Sequence, residues 1–316
     1  MKARARIIAY TLICIFTICV LLYPTRMSKA ISGGLNLYAV CILPSLLPFF
    51  VLTALLEEVG VPRMKRPSGI TNRLFNSGES GAYVTLISTF AGYPSGARLI
   101  AGLGADTQTS ESIFAHTSLP GPAFVIGTVG AGMLHDTKLG MLLWVIQLLA
   151  TFISGLIFRA KENTSFAQKN SRVSGKGALS RVTSSAVSAA LNVGLFTALS
   201  SGVIEVLFIL NIPQIIAKNL PTGAVDQNMI YGAISCVVEM SNGVAYLSKS
   251  SCIIALPAIS FAMAFGGACI AAQSLSMCGG KVRTSRLLLI KLCQGSIAFA
   301  ITALLCLLGI IAKNTT

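Results

Sequence analysis

The sequence predicts an all-α polytopic membrane protein arranged as an inverted repeat with broken or re-entrant helices. Three observations lead there. Of 316 residues, 54% are hydrophobic and 11% charged, with a mean hydropathy of +0.77, whereas a soluble domain carries about 25% charged residues. Several apolar runs reach the roughly 20 residues that cross about 30 Å of hydrocarbon. Inside two of them, at matched places, sit glycine-rich breaks, which hydrocarbon tolerates only where protein or a polar cavity surrounds them. The chain is organised around the first of these, Phe90-Ala91-Gly92-Tyr93-Pro94-Ser95-Gly96-Ala97-Arg98.

Lys2, Arg4 and Arg6 precede an apolar run from Ile7 to Tyr23. It reads as a first transmembrane helix rather than a signal peptide, because Tyr23-Pro24 and Arg26 close it and no small-x-small cleavage site follows. The next span, Leu37 to Leu56, carries Pro44 and Pro48 and is expected to bend or split. Arg63, Lys65, Arg66 and Arg73 then mark a cytoplasmic segment. Gly81 to Leu103 holds the first break, and Ser112 to Leu134 a second at Ser118-Leu119-Pro120-Gly121-Pro122. Leu139 to Phe158 is a smoother span. Residues 159–181, with Arg159, Lys161, Lys169, Arg172, Lys176 and Arg181 among Ser, Asn and Gly, read as a flexible cytoplasmic linker. Spans near 183–210, 229–249, 252–278 and 286–311 follow.

The two sides of that linker share one order of elements. Gly92 to Gly96 matches Glu239-Met240-Ser241-Asn242-Gly243, and the segment through Gly127 to Gly132 matches Ala264-Phe265-Gly266-Gly267. The chain thus divides into an N-terminal helix and loop (1–34), a first repeat (35–160), a basic linker (161–182) and a second repeat (183–316). Simple up-and-down crossing from a cytoplasmic N-terminus would leave the basic linker outside, against the positive-inside rule. One re-entrant segment per half returns residues 160–182 to the cytoplasm and makes the halves inverted, a common transporter design.

Ionisable residues inside spans are costly and become functional candidates. Here they are Arg98, Glu205, Glu239, Lys249 and Lys291. Lys249 and Lys291 are placed at span ends, where a long side chain snorkels to the interface. Arg98 and Glu239 each adjoin a glycine motif and form either a mutual ion pair or, in the case of Arg98, a bidentate carboxylate receptor. Glu205 is either a partner for Arg98 or a protonatable coupling site. Gly92 and Gly96 fit a small-xxx-small packing seam. Pro94 and Ser95 between them favour instead an opened helix whose free N–H groups bind anions. Ser118, Gly121, Ser241, Asn242, Gly243 and Gln273 complete the candidate substrate site.

Function classes are also excluded. The net charge of +14 lies in short segments without interleaved aromatics, so nucleic acid is not an expected partner. Nine scattered cysteines make no C-x-x-C pair, and no metal is expected. His116 and His135 read as solvated or loop histidines. With no nucleophile elbow or phosphate loop, neither an enzyme nor a cofactor is expected.

At its motifs the chain resembles the YlbJ family of sporulation integral membrane proteins, also known as stage V sporulation protein V, within the group carrying a nucleoside-recognition or Gate domain. The resemblance rests on Leu43-Pro44-Ser45-Leu46-Leu47-Pro48-Phe49-Phe50, on Gly92-Tyr93-Pro94-Ser95-Gly96-Ala97, on Glu239-Met240-Ser241-Asn242-Gly243, and on Ser260-Phe261 through Phe265-Gly266-Gly267 to Ala272-Gln273-Ser274-Leu275-Ser276. It covers residues 35–310 and departs at Tyr93, where the family's motif often has Phe. The resemblance implies two Gate-like repeats and passage of dipicolinate across the outer forespore membrane of a spore-forming bacterium. The implied partners are a small anionic solute, the lipid bilayer, and a second copy or a sporulation membrane protein. The alternatives are a non-transporting scaffold for spore formation and a nucleoside-type transporter.

Overall fold

The computed structural model describes residues 2–59, 65–161, 177–219 and 225–311. Every regular element among the described residues is helical. Among the described residues, five helical stretches are long and apolar enough to cross a membrane: Pro24–Leu56, Thr137–Ile157, Ala178–Ile209, Ala255–Met277 and Thr284–Leu307. Their side chains are distributed inside out compared with a soluble protein. On α9 (Ala178–Ile209), Val187, Leu191, Leu195, Leu199 and Val203 form an exposed apolar stripe at four-residue spacing, while Thr197 and Ser201 are buried. On α8 (Thr137–Ile157), Met141, Val145, Leu149 and Leu156 face out, and Gln147, Thr151 and Ser154 face in. Lipid outside and polar groups satisfied within explain that pattern. The chain is an integral membrane protein.

Helix α1 (Lys2–Leu22) occupies the expected first span and packs on α2 (Pro24–Leu37) and α9. The second span is not split at its prolines. A π-wound turn, Tyr38–Ile42, joins α2 directly to α3 (Leu43–Val59), immediately before Pro44. Widening the winding there makes room between the proline ring and the carbonyl of the preceding turn, to which proline donates no hydrogen bond. The helix therefore starts at Pro24, and the division expected at residue 34 falls inside it. Helix α4 (Lys65–Phe75) leads into the first broken region.

That region is a reversed pair. Helix α5 (Gly78–Ala91) ends at Gly92, and α6 (Ser95–Gly102) returns alongside it, with Gly96 against Ser88. Gly92 has φ of +71°, and a Cβ there would lie 2.7 Å from Gly121 Cα, so only glycine fits. The small-xxx-small seam is thereby corrected, because Gly92 and Gly96 lie on opposite sides of a turn. Helix α7 (Thr107–Thr117) and a π-wound helix (Ala123–Met133) follow, separated by the break at residues 118–122, and then α8.

A comparable order of elements follows α9 and α10 (Ile212–Lys218). The span expected at 229–249 is a second reversed pair, α11 (Gln227–Val238) and α12 (Met240–Leu247), with Gly243 against Cys236 and Gly232 against Leu247. Helices α13 (Ala255–Phe265) and α14 (Gly267–Met277) are joined through left-handed Gly266, and α15 (Thr284–Leu307) closes the fold. Of the linker expected at 161–182, residues 162–176 lie outside the described residues, and Ala178 onward is α9.

Two glutamines tie the halves reciprocally. Gln147 on α8 donates to Ser260 O on α13 at 3.0 Å, and Gln294 on α15 donates to Ala115 O on α7 at 2.9 Å. Each fills a buried site on the other half.

Candidate functional site

Helix α9 gives the depth of each part. From its start, Arg181 pairs with Glu58, and Ser185 accepts from Arg98 of α6 at 2.5 Å. Ala190 O accepts from the Tyr38 hydroxyl, Ser201 Oγ accepts from Asn242 of α12 at 2.9 Å, and Glu205 pairs with Arg26 at 2.7 Å. Arg181 and Glu205 are about 36 Å apart at 1.5 Å per residue. The α5–α6 pair thus meets α9 near its start and the α11–α12 pair near its end, and their tips converge between.

At that convergence lies a cavity of about 40 Å³. Its lining includes Tyr93 and Pro94 from the first tip, Glu239 and Ser241 from the second, and Gly121, Thr197 and Gln273. Of the candidate site residues, the fold brings Pro94, Gly121, Glu239, Ser241 and Gln273 to this wall. Gly92, Ser95, Gly96 and Gly243 build the tips behind it. Asn242 turns to Ser201 and lines a separate cleft.

Glu239 caps α12: its Oε1 accepts from Ser241 N at 2.9 Å and its Oε2 from Asn242 N at 2.8 Å. A carboxylate at a helix N-terminus is matched by the free N–H groups and the helix dipole. The first tip has no such cap, and Ser95 Oγ is buried without a hydrogen-bond partner. Gln273 donates to Cys269 Sγ at 3.1 Å, while its buried Oε1 has no partner. The cavity wall therefore presents an unanswered acceptor, which a bound solute or water would satisfy.

The charges are distributed differently from the sequence expectation. Arg98 does not pair with Glu239; its described bonds reach Ser185 O and Oγ, which pin α6 to α9. Glu205 pairs with Arg26 rather than Arg98. Lys249 is exposed as expected, whereas Lys291 is 1% exposed and does not snorkel. Lys291 Nζ donates to Ser118 O at 3.1 Å and to Ser118 Oγ at 3.3 Å, and sits 4.9 Å from the Tyr93 ring centroid. Its Nζ lies at the C-terminus of α7, where the helix dipole favours a positive charge. Sequence reasoning missed it because spacing along α15 fixes depth but not the face presented to α7. His135 is exposed in a turn as expected. His116 instead is buried and stacked on Phe75, ring centroids 4.2 Å apart. No cluster that could hold a metal occurs among the described residues.

The chain is 30% identical over 152 residues to the sporulation integral membrane protein YlbJ of Bacillus subtilis (strain 168). It is similar to a sporulation membrane protein. The match covers 46% of this chain and 37% of that relative's length. No protein-family model matches the chain, and no solved structure matches it.

Proposed function

We propose that this protein moves a small anionic solute across a membrane through the cavity between its two reversed helix pairs, and that the solute is dipicolinate, carried across the outer forespore membrane during sporulation. One observation carries the transport reading: two broken pairs meet α9 toward its two ends and bring their tips to a small, mostly apolar cavity in whose wall stand a few polar groups, Thr197, Glu239, Ser241 and Gln273. Broken helices meeting at mid-depth are how transporters place polar backbone around a solute. The reciprocal glutamines support an inverted repeat, since Gln147 and Gln294 stand 147 residues apart, as do Gly96 and Gly243, and Thr137 and Thr284. The likeness to YlbJ and the motif resemblance supply the sporulation context and the choice of solute.

The cavity constrains how this works. At about 40 Å³ it holds roughly one water, so a ring-sized solute enters only after the tips part. Glu239 forms part of the wall, and a dicarboxylate beside it needs a proton or cation as company. Lys291 behind Tyr93, rather than Arg98, is the cation positioned to offset the solute's charge.

Uptake of labelled dipicolinate and of labelled nucleosides into vesicles containing the purified protein tests the reading. Dipicolinate should accumulate, nucleosides should not, and Lys291→Gln should lower the rate at least tenfold at equal protein content. Uptake of nucleosides alone would assign a nucleoside-type transporter; uptake of neither would favour a scaffolding role in spore formation.

A further inference from the structure

A second and larger space lies beside the central cavity. It is a cleft of about 520 Å³ between α2, α9 and α12, lined among others by Arg26, Lys29, Ser201, Glu205, Asn242 and Tyr246. That volume lies within the 300–1,000 Å³ typical of small-molecule sites, unlike the inner cavity. We propose that this cleft is the outer vestibule of the central cavity, that it gathers small carboxylate anions, and that the Asn242–Ser201 hydrogen bond is the partition between the two spaces. The proposal rests on reading the chain as an anion transporter.

The two walls alternate between the spaces. On α9, Thr197 lines the inner cavity and Ser201, one turn later on the same face, lines the cleft. On α12, Ser241 lines the cavity and its neighbour Asn242 lines the cleft. The partition is therefore about one helical turn thick, roughly 6 Å. It is closed by the 2.9 Å bond from Asn242 Nδ2 to Ser201 Oγ, and Ser201 Oγ in turn donates to Thr197 O at 3.0 Å. A carboxamide N–H and a hydroxyl are both donors to a carboxylate. A passing anion can thus replace the hydrogen bond it breaks with one from the Asn242 amide.

The charge of the cleft selects in the same direction. Arg26 and Lys29 stand against the single carboxylate of Glu205. Glu205 binds Arg26 and holds it in the wall, and Lys29 is exposed with no ion pair among the described residues. The excess of positive charge raises the local concentration of anions at the mouth.

Cys269 is a native reporter of access, being 3% exposed and hydrogen-bonded by Gln273 of the cavity wall. The protein in vesicles is treated with anionic, cationic and uncharged methanethiosulfonate reagents, and modification of the Cys269 peptide is followed by mass spectrometry. Asn242→Ala and Ser201→Ala should each speed its modification by the anionic reagent at least tenfold. Lys29→Glu should slow the anionic reagent about fivefold, speed the cationic one, and leave the uncharged one alone. Rates unchanged in both partition variants, or unmoved by charge reversal, would overturn the proposal. Should Asn242→Ala fail to give a monodisperse protein, the smaller Ser201→Ala change decides. Failure to carry dipicolinate leaves these rates untouched, so the two readings fail separately.

Discussion

Glu239 and Lys291 are the two buried charges beside the meeting of the tips, and each is stabilised by a helix end rather than by a counter-ion. Glu239 sits at the N-terminus of α12 and Lys291 at the C-terminus of α7, the two arrangements that the helix dipole favours. In the sequence Glu239 stands beside a glycine motif, and its cost in hydrocarbon marks it as a candidate. That both carboxylate oxygens are occupied by backbone N–H groups is not visible there, because capping depends on where the helix breaks. Arg98 departs from expectation for a related reason: its position one turn into α6 aims it along α9 to Ser185. Glu239→Gln keeps one acceptor for the two N–H groups at the start of α12 and removes the charge, so it should cost about 1 kcal/mol of stability. Anion binding at the cavity should strengthen in the same variant. Thermal unfolding in detergent and equilibrium binding of labelled dipicolinate check the two halves of this expectation, and weakened binding would contradict the role given to the carboxylate.

At the level of elements the breaks are legible, because glycine and proline inside an apolar run weaken or remove helical hydrogen bonds that hydrocarbon cannot replace. Gly92 and Pro94 mark one of the four breaks, Pro120 and Gly121 a second and Gly266 a third. The reversal of chain direction at two of them is not legible from composition. It depends on Gly96 and Gly243 admitting Ser88 and Cys236, contacts made across the turn. The mouth of the second pair is held by Asp226, which caps α11 through Met229 N and accepts from Ser250 Oγ, Ser251 N and Ser251 Oγ beyond α12. Burial pushes this carboxyl up, but those hydrogen bonds outweigh it and hold it below its ordinary value of 3.8. A group depressed in the folded state stabilises fully above its unfolded value and loses that contribution as pH falls through the folded one. The melting temperature of the native protein should exceed that of Asp226→Asn near neutral pH, and the gap should close below about pH 3.8. A gap independent of pH would place the stabilisation elsewhere. The two interlocking glutamines make a separate expectation at this scale. Gln147→Leu and Gln294→Leu should each cost about 1 kcal/mol by removing a buried hydrogen bond between helices, as read by thermal unfolding.

For the whole molecule, the interlocking of α8 with α13 and of α15 with α7 is not visible in the sequence, since Gln147 and Gln294 are single residues in otherwise apolar helices. Among the described residues, each reversed pair is tied to α9 by a side-chain hydrogen bond: Arg98 to Ser185 for the first, and Asn242 to Ser201 for the second. If access alternates, the first pair parts from α9 while the second stays closed, and then the reverse. A solute trapped between the tips leaves only by the tie that opens. Cysteine pairs at 98 and 185, or at 201 and 242, joined by a short bifunctional maleimide, should therefore each abolish net uptake. The two blocks should differ in what remains. Closing the 201–242 tie should prevent binding of labelled dipicolinate from the side where α9 ends, yet preserve binding from the side where it begins, and closing 98–185 should do the opposite. Vesicles sorted by orientation distinguish these outcomes. Loss of binding from both sides with either link would mean that the pairs open together, as in a channel gate, rather than in turn.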